Sequence, residues 1–142
     1  MGPKIFTANE AGALIPNLDG IFKELDTIRA SIKQIKSKMD TLEMLWGETV
    51  NSEDNPDRRE YLHYLQEIDK LKKQFDAAIN KFVDLECFFK GLDSGLIDFY
   101  GVIDGRLVYI CWQRGEKEIG YWHHLEDGFA GRQPLPEKKN VV

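Results

Sequence analysis

The fold is decided by the stretch Leu96-Ile97-Asp98-Phe99-Tyr100-Gly101-Val102-Ile103-Asp104-Gly105-Arg106-Leu107-Val108-Tyr109-Ile110-Cys111-Trp112-Gln113. It is rich in aromatic and β-branched residues and has the two-residue period of β-strands. Asp104-Gly105 suits a two-residue type I′ turn, which joins antiparallel strands. We therefore predict strands over residues 96–103 and 106–113, paired around this turn.

A third strand is predicted over residues 118–123, after Gly115-Glu116, which suits a type II′ turn. The two turns fix the register of a three-stranded antiparallel meander over 96–123. The face expected to meet the helices carries Ile97, Phe99, Gly101, Val108, Ile110, Trp112, Ile119, Tyr121 and His123. The opposite face carries Asp98, Tyr100, Val102, Leu107, Tyr109, Cys111, Gly120, Trp122 and His124. An error of one residue in a turn would exchange the faces of the strand that follows.

Two long helices are predicted before the meander. A capping box, Thr7-Ala8-Asn9-Glu10, opens a first helix over 8–46 that is kinked near Pro16. The second helix covers 56–90, and Gly91 supplies its C-cap. Apolar residues recur along both helices at alternating steps of three and four, which predicts a long antiparallel, coiled-coil-like hairpin.

These elements predict an α+β fold in a single domain over 1–142, with a loop and tail over 124–142. The formal net charge of −5 disfavours a nucleic-acid binder, because such binding depends on clustered basic side chains. No apolar run is long enough to span a membrane. Cys87 and Cys111 do not resemble a disulfide framework, so we expect a cytoplasmic protein.

Short blocks at both ends of the chain form a recognisable pattern: Phe6-Thr7, Glu10-Ala11, Leu14-Ile15-Pro16, Gly95-Leu96-Ile97-Asp98-Phe99, Val108-Tyr109-Ile110-Cys111-Trp112, Gly115-Glu116, Trp122-His123 and Gly128-Phe129-Ala130-Gly131-Arg132-Gln133-Pro134-Leu135. These blocks resemble a bacterial family of unknown function, the domain of unknown function 2203. The resemblance spans nearly the whole chain. It implies a bacterial origin, and it brings no substrate, cofactor or catalytic residue with it.

One group of side chains has the chemistry of metal ligands. Thiolate, imidazole and carboxylate together suit zinc or another transition metal. In the predicted register His123 and Cys111 lie on opposite faces, so they would share an ion only if the third strand ended or bulged before His123. The alternative is a buried thiol, an edge histidine and exposed carboxylates. The candidate ligands are Cys111, His123, His124 and Glu126, with Asp98 beside them.

A second candidate site is a row of aromatic side chains across the three strands, Tyr100, Tyr109 and Trp122. We call it the aromatic ladder, and it could bind a planar or peptide ligand. Arg132, in the glycine-rich loop, could pair with a carboxylate or phosphate. The alternative is that the loop over 128–135 folds back and covers the ladder. The candidate binding residues are Asp98, Tyr100, Tyr109, Trp122, His124 and Arg132.

The function that we expect first is a non-enzymatic protein-interaction or scaffolding module. Its hairpin would serve as a spacer or a homodimer contact through Leu62 and Leu65, and its sheet would recognise a protein partner. The second hypothesis is a small metal- or ligand-binding protein, an enzyme included, centred on Cys111, His123, His124, Glu126 and Asp98. A cysteine nucleophile is disfavoured, because Asp98 beside Cys111 would raise the pKa of the thiol.

Overall fold

A computed structural model of the chain describes residues 2–136. By their internal contacts the residues divide into two compact units. The sheet unit runs up to Lys23 and resumes at Ile79, and the helical unit is Glu24–Ala78. Residues 137–142 of the predicted loop and tail over 124–142 lie outside the described residues.

The first predicted helix is present as two helices, α1 over Ala8–Gly12 and α2 over Ile15–Trp46. The predicted capping box opens α1. The backbone N–H of Glu10 donates to the Thr7 hydroxyl at 3.1 Å, and the N–H of Thr7 donates to the Glu10 carboxylate at 2.9 Å. Pro16 lies in the first turn of α2, where its missing N–H costs no helical hydrogen bond. The interruption expected near Pro16 is confirmed.

In the helical unit, α2 runs beside a third helix, α3 over Arg58–Asp84, in the opposite direction. The Tyr61 hydroxyl of α3 donates to Glu43 of α2 at 2.7 Å. The ammonium nitrogen of Lys38 lies 6.0 Å from the centroid of the Tyr64 ring. Tyr64 follows Tyr61 by about one turn in α3, whereas Lys38 precedes Glu43 by more than one turn in α2, so the two helices run in opposite directions. The buried apolar side chains of this unit are Leu25, Ile28, Met39, Val50, Ile68 and Ala78.

The connection between α2 and α3, predicted as a polar break, contains a short 3-10 helix over Gly47–Asn51. The side chain of Val50 is buried there. The indole N–H of Trp46 donates to the Asp57 carboxylate at 2.7 Å across the connection. Among the helices of residues 2–136, none combines the length and the apolar character needed to cross a membrane.

The end of α3 corrects the prediction, because the helix stops at Asp84 and not at residue 90. Glu86 has a φ of 61°, in the left-handed region. The N–H of Cys87 donates to the carbonyl of Phe82 at 3.2 Å, which closes the helix end as in a Schellman motif. Phe88 and Phe89, which follow, do not continue the helix but form a strand.

A glycine at position 86 is expected to stabilise the protein by about 0.5 kcal/mol. The left-handed conformation costs a non-glycine residue about 1–2 kcal/mol, and part of that gain is lost to the greater freedom of glycine in the unfolded chain. Urea denaturation of Glu86→Gly measures the change. Glu86→Ala, which keeps a Cβ atom, is the control and should not be stabilised. A loss of stability in Glu86→Gly would contradict this account of the helix end.

Over residues 2–136, the sheet has five antiparallel strands and not the predicted three. Their order in the sheet is their order in the chain. The strands are β1 (Phe88–Phe89), β2 (Leu96–Ile103), β3 (Arg106–Gln113), β4 (Tyr121–His123) and β5 (Gln133–Pro134). The bounds of β2 and β3 are as predicted, whereas β4 begins three residues later than the predicted residue 118.

The two additional strands, β1 and β5, lie in segments that were predicted as helix and as loop. Phe88 and Phe89 fit the apolar pattern of the second helix, but they pair with Asp98 and Ile97 of β2. Gly91, predicted as the helix C-cap, therefore lies beyond β1. β5 comes from the predicted loop and pairs with β4.

The predicted register between β2 and β3 is confirmed. Asp104 and Gly105 have φ values of 50° and 77°, and type I′ turns require positive values at both positions. Asp98 pairs with Cys111, and Tyr100 pairs with Tyr109, as the sequence predicted.

The predicted register between β3 and β4 is wrong by one residue. Cys111 pairs with Tyr121 and not with Gly120, and Tyr109 pairs with His123 and not with Trp122. Side chains of directly paired residues lie on the same side of a sheet. His123 therefore shares a side with Cys111.

The cause is the connection after β3, in which residues 114–120 form a turn and an irregular segment and no strand. The N–H of Glu116 donates to the carbonyl of Gln113 at 3.0 Å, so Arg114 and Gly115 are the central residues of the turn. Gly115 has a φ of 101°. A hairpin closed at this turn would pair Cys111 with Glu118, whereas Cys111 pairs with Tyr121, so the residues between the turn and β4 also set the register.

The core of the sheet unit lies against one side of the sheet. Phe22 of α2 contacts Trp112 and Phe82, with ring centroids 6.1 and 5.3 Å apart. Phe6 packs on Phe99 at 4.8 Å. The sheet side chains that are fully buried on this side are Ile97, Phe99, Val108, Ile110 and Trp112. This packing leaves the other side of the sheet for the polar residues described next.

Candidate functional site

Three neighbouring strands bring Asp98, Cys111 and His123 together on the side of the sheet away from that core. Asp98 comes from β2, Cys111 from β3 and His123 from β4. Their residues are exposed by only 4%, 1% and 3%. One ligand atom from each, a carboxylate oxygen, the sulfur and a ring nitrogen, lies within 4.8 Å of the others.

Both ring nitrogens of His123 face hydrogen-bond acceptors. Nδ1 lies 2.9 Å from the carbonyl oxygen of His124, and Nε2 lies 3.1 and 3.2 Å from the two carboxylate oxygens of Asp98. A carbonyl oxygen only accepts, so Nδ1 is placed to donate to it, and Nε2 faces the carboxylate across a gap that suits either a proton or a metal ion. The side chain is therefore oriented for either an ion pair with Asp98 or a metal between the two.

The Cys111 thiol is held in its protonated form. Burial, and after it the negative charge of Asp98, raise the pKa of Cys111 to about 12. The nucleophilic form of cysteine is the thiolate, so this thiol is not an activated nucleophile at neutral pH. The chemistry available to Cys111 is that of a metal ligand, because a coordinating thiol is deprotonated by the metal itself.

Native Cys111 should react with iodoacetamide at pH 8 at least about 100-fold more slowly than in the unfolded chain. A thiol with a pKa of about 12 is ionised to about one part in ten thousand at pH 8, and an ordinary cysteine to about a quarter. The rate should rise about tenfold per pH unit. Peptide mass spectrometry of metal-stripped protein measures it. Cys87, whose pKa burial also raises to about 12, is the internal comparison. Rapid native labelling of Cys111 would contradict the buried site.

The cluster opens into a cavity of about 280 Å³. Asp98, Cys111 and His123 form part of its wall, and the loop after β4 forms another part through Phe129 and its neighbours. Lys90 also lines the cavity, with its ammonium nitrogen 4.0 Å from the Asp98 carboxylate. The other lining residues are Leu96, Tyr109, Leu125, Asp127 and Gly128.

Two predicted metal ligands are not part of the cluster. The ring of His124 packs edge-on against Trp122, with centroids 4.9 Å apart, and only its carbonyl reaches His123. Glu126 is exposed on the loop after β4. The structure thus joins Cys111 and His123 with Asp98 and leaves the other two outside.

The predicted aromatic ladder does not assemble as expected. Tyr100 and Tyr109 do stack, with centroids 5.4 Å apart and planes within 14°. Trp122 pairs with Ile110, so the one-residue shift of β4 puts it on the other side of the sheet. Phe88 of β1 packs on both tyrosines, at 5.0 and 5.7 Å.

Arg132 is engaged within the protein. Its guanidinium donates to the Glu116 carboxylate and, at 3.4 Å, to the carbonyl of Cys111, and its side chain is only 11% exposed. It also stacks on Tyr121, 3.9 Å from the ring centroid. The Arg132 side chain therefore holds the loop after β4 against β3 and β4. Its guanidinium group does not point outward, where a ligand could bind it.

A larger hollow of about 770 Å³ lies in the helical unit, beside the start of α3. Most of its lining side chains are exposed or half-buried, Arg59 and His63 among them. A ligand there would remain largely hydrated, whereas the smaller cavity offers three buried, chemically distinct groups. The smaller cavity is the better candidate site.

The sequence did not indicate that Lys90 and Phe129 are parts of the site. Lys90 was assigned to the end of the second helix, and no local pattern indicated that the chain turns into β1 before it. Phe129 lies in a glycine-rich loop, whose path depends on the ion pair of Arg132 with Glu116. The opposite charges of Arg132 and Glu116 indicated that the two side chains could pair. Their spacing in the sequence did not indicate that they meet across the sheet.

A model of the family described as "Uncharacterized conserved protein (DUF2203)" matches residues 4–135. No curated protein and no solved structure matches the chain. The matched range includes all residues that line the candidate site. The chain therefore belongs to the DUF2203 family, as the sequence blocks at its two ends predicted.

Proposed function

We propose that this chain is a small metal-binding protein, in which Asp98, Cys111 and His123 hold a transition-metal ion such as zinc. The observation that carries the proposal is the meeting of three different ligand types, all buried, on one side of three adjacent strands. Carboxylate, thiolate and imidazole are each zinc ligands in proteins. Buried ionisable groups are costly unless they are paired or bind a metal.

The geometry around His123 supports a metal. Two ligands about 2.1 Å from a tetrahedral zinc ion lie about 3.4 Å apart, and Nε2 of His123 lies 3.1 and 3.2 Å from the Asp98 oxygens. A histidine that binds a metal through one nitrogen usually donates from the other to a carbonyl or carboxylate. The carbonyl of His124, 2.9 Å from Nδ1, is such a partner.

Three protein ligands leave a coordination position for water or a small ligand. Structural zinc sites are closed by four protein ligands, whereas catalytic sites keep one position open. The cavity of about 280 Å³ beside the cluster gives that position room. This arrangement favours a metal that binds a ligand or acts as a Lewis acid over a purely structural metal.

Elemental analysis of protein purified without a metal-affinity tag tests the proposal. Wild type should retain about one metal ion per chain through desalting, and Cys111→Ser should lose it. Cys87→Ser is the matched control, because Cys87 is also a buried free cysteine but lies outside the cluster. Metal-free wild type, even after incubation with zinc, would overturn the proposal. So would equal retention by Cys111→Ser and Cys87→Ser.

The second candidate function is a non-enzymatic interaction module, with the helical unit as a contact between two copies of the chain. Large apolar side chains of this unit support it, because Met44, Leu45 and Leu65 are 88%, 68% and 42% exposed. Exposed apolar patches often mark interaction sites. The coiled-coil-like pattern of the two helices agrees with a scaffolding role.

Polar substitution of Leu62 and Leu65 should then weaken self-association by at least about tenfold, since burial of each leucine contributes about 1.5 kcal/mol or more. Sedimentation equilibrium of the double variant Leu62→Gln/Leu65→Gln measures the dissociation constant. Val83→Gln, at a position 65% exposed in the sheet unit, is the control. A monomeric wild type, or equal association of both variants, would exclude this contact.

A cytoplasmic location and a bacterial origin complete the proposal. Both cysteines are free thiols, as is usual in a reducing compartment. A protein without disulfides, with a thiolate ligand in its site, is suited to such a compartment. The bacterial origin rests on the family resemblance.

A further inference from the structure

Lys90 stands at the rim of the cavity, where it faces the proposed metal site. Its ammonium nitrogen lies 4.0 Å from the Asp98 carboxylate and 5.5 Å from the centroid of the Tyr109 ring. The side chain is 44% exposed, whereas that of Asp98 is 5% exposed. The ammonium group therefore reaches inward from solvent toward a buried carboxylate.

A metal ion would change the partner that Lys90 needs. A divalent ion balances the two negative charges of an Asp98 carboxylate and a Cys111 thiolate. Asp98 would then be bound to the metal, and the ammonium group of Lys90, 4.0 Å from that carboxylate, would lie beside an open coordination position. An anion that binds both the metal and Lys90 would give the ammonium group a new partner.

The rest of the cavity selects among anions. Asp127 is a second carboxylate in the lining, and it disfavours an anion with two charges, such as phosphate at neutral pH. Leu96, Leu125 and Phe129 supply apolar lining. The volume of about 280 Å³ lies at the lower limit of pockets for drug-sized ligands, so the ligand is small.

We infer that the cavity binds a small monocarboxylic acid with a short apolar chain. Its carboxylate bridges the open metal position and Lys90, and its chain packs on Leu96, Leu125 and Phe129. This inference rests on the proposed function, because it requires the metal of Asp98, Cys111 and His123. It adds a ligand class and names Lys90 as the residue that recognises the charge.

Cobalt-loaded protein allows the two proposals to be tested separately. Cobalt(II) reports its own coordination through its visible absorption, which is titrated with butyrate or with inorganic phosphate as the probe. Wild type is compared with Lys90→Met, which removes the charge and keeps the length of the side chain. Lys73→Met is the control, because Lys73 lies on the helical unit and pairs with Asp69 at 3.2 Å.

We expect all three proteins to bind cobalt. Butyrate should change the absorption of wild type and Lys73→Met with saturation, and Lys90→Met should need at least about tenfold more butyrate. Phosphate should bind more weakly than butyrate. If cobalt binds but butyrate has no effect, or acts equally on Lys90→Met, the carboxylate inference fails and the metal site stands. Tighter binding of phosphate also overturns the inference, and failure of wild type to bind cobalt overturns both proposals.

Discussion

Replacing His123 by alanine is expected to weaken zinc binding by more than about 100-fold, the upper end of what loss of an outer-shell partner costs. The substitution removes one of three proposed ligands and leaves Asp98 and Cys111 as a two-ligand site. It also removes the side chain that holds Asp98 through contacts of 3.1 and 3.2 Å. Competition with a chromophoric chelator measures the dissociation constant of zinc.

The matched control is His124→Ala, one residue further along the chain. The ring of His124 packs on Trp122, and the contact with His123 comes from a backbone carbonyl that alanine retains. His124→Ala should therefore bind zinc within a few-fold of wild type. A larger loss in His124→Ala than in His123→Ala would restore the ligand set in which the His124 ring binds metal, and would contradict the register of β4.

Replacing Trp112 by alanine is expected to lower the free energy of unfolding by about 3–5 kcal/mol, the usual cost of deleting a fully buried large aromatic side chain. Trp112 is fully buried, and its ring lies 6.1 Å from that of Phe22. Its indole N–H donates to the carbonyl of Glu116 at 3.0 Å, which helps to fix the turn after β3. Urea denaturation followed by circular dichroism measures the change.

Leu107→Ala serves as the control for Trp112→Ala. Leu107 lies on the same strand but is 41% exposed, so its truncation should cost less than about 1 kcal/mol. If the two variants lost similar stability, Trp112 would not hold the core that the structure describes. Because the indole also braces the connection that leads into β4, Trp112→Ala should in addition weaken zinc binding, whereas Leu107→Ala should not.

Where short-range chemistry fixes the structure, the sequence predicted it. The Thr7 to Glu10 capping box satisfies backbone groups within one turn, and Asp104-Gly105 sets φ values that only a few turn types accept. These local rules gave the start of α1 and the whole register of β2 with β3. They therefore also gave the neighbourhood of Asp98 and Cys111.

Where a contact between distant segments competes with local structure, the sequence did not show which of the two forms. Phe88 and Phe89 continue the apolar pattern of α3, but pairing with β2 satisfies their backbone groups and buries apolar surface against Phe22 and Phe82. Helix α3 therefore ends before Glu86, and strand β1 follows. Local periodicity carries no information about that alternative.

The site depended on the connection after β3, whose course the sequence did not predict correctly. In the predicted register Trp122 faced the same side as Cys111, and the one-residue shift puts His123 there instead. The candidate ligands were named from residue type alone, but their meeting on one side required the structure. The same shift removes Trp122 from the aromatic ladder.

Zinc K-edge X-ray absorption spectroscopy of the desalted, zinc-loaded protein tests the central claim most directly. If Asp98, Cys111 and His123 bind the metal, the spectrum should show one sulfur at about 2.3 Å together with nitrogen and oxygen ligands at about 2.0–2.2 Å. The sulfur shell should disappear in Cys111→Ser and persist in Cys87→Ser. A shell of nitrogen and oxygen alone in wild type, or zinc that is lost on desalting, would contradict the account.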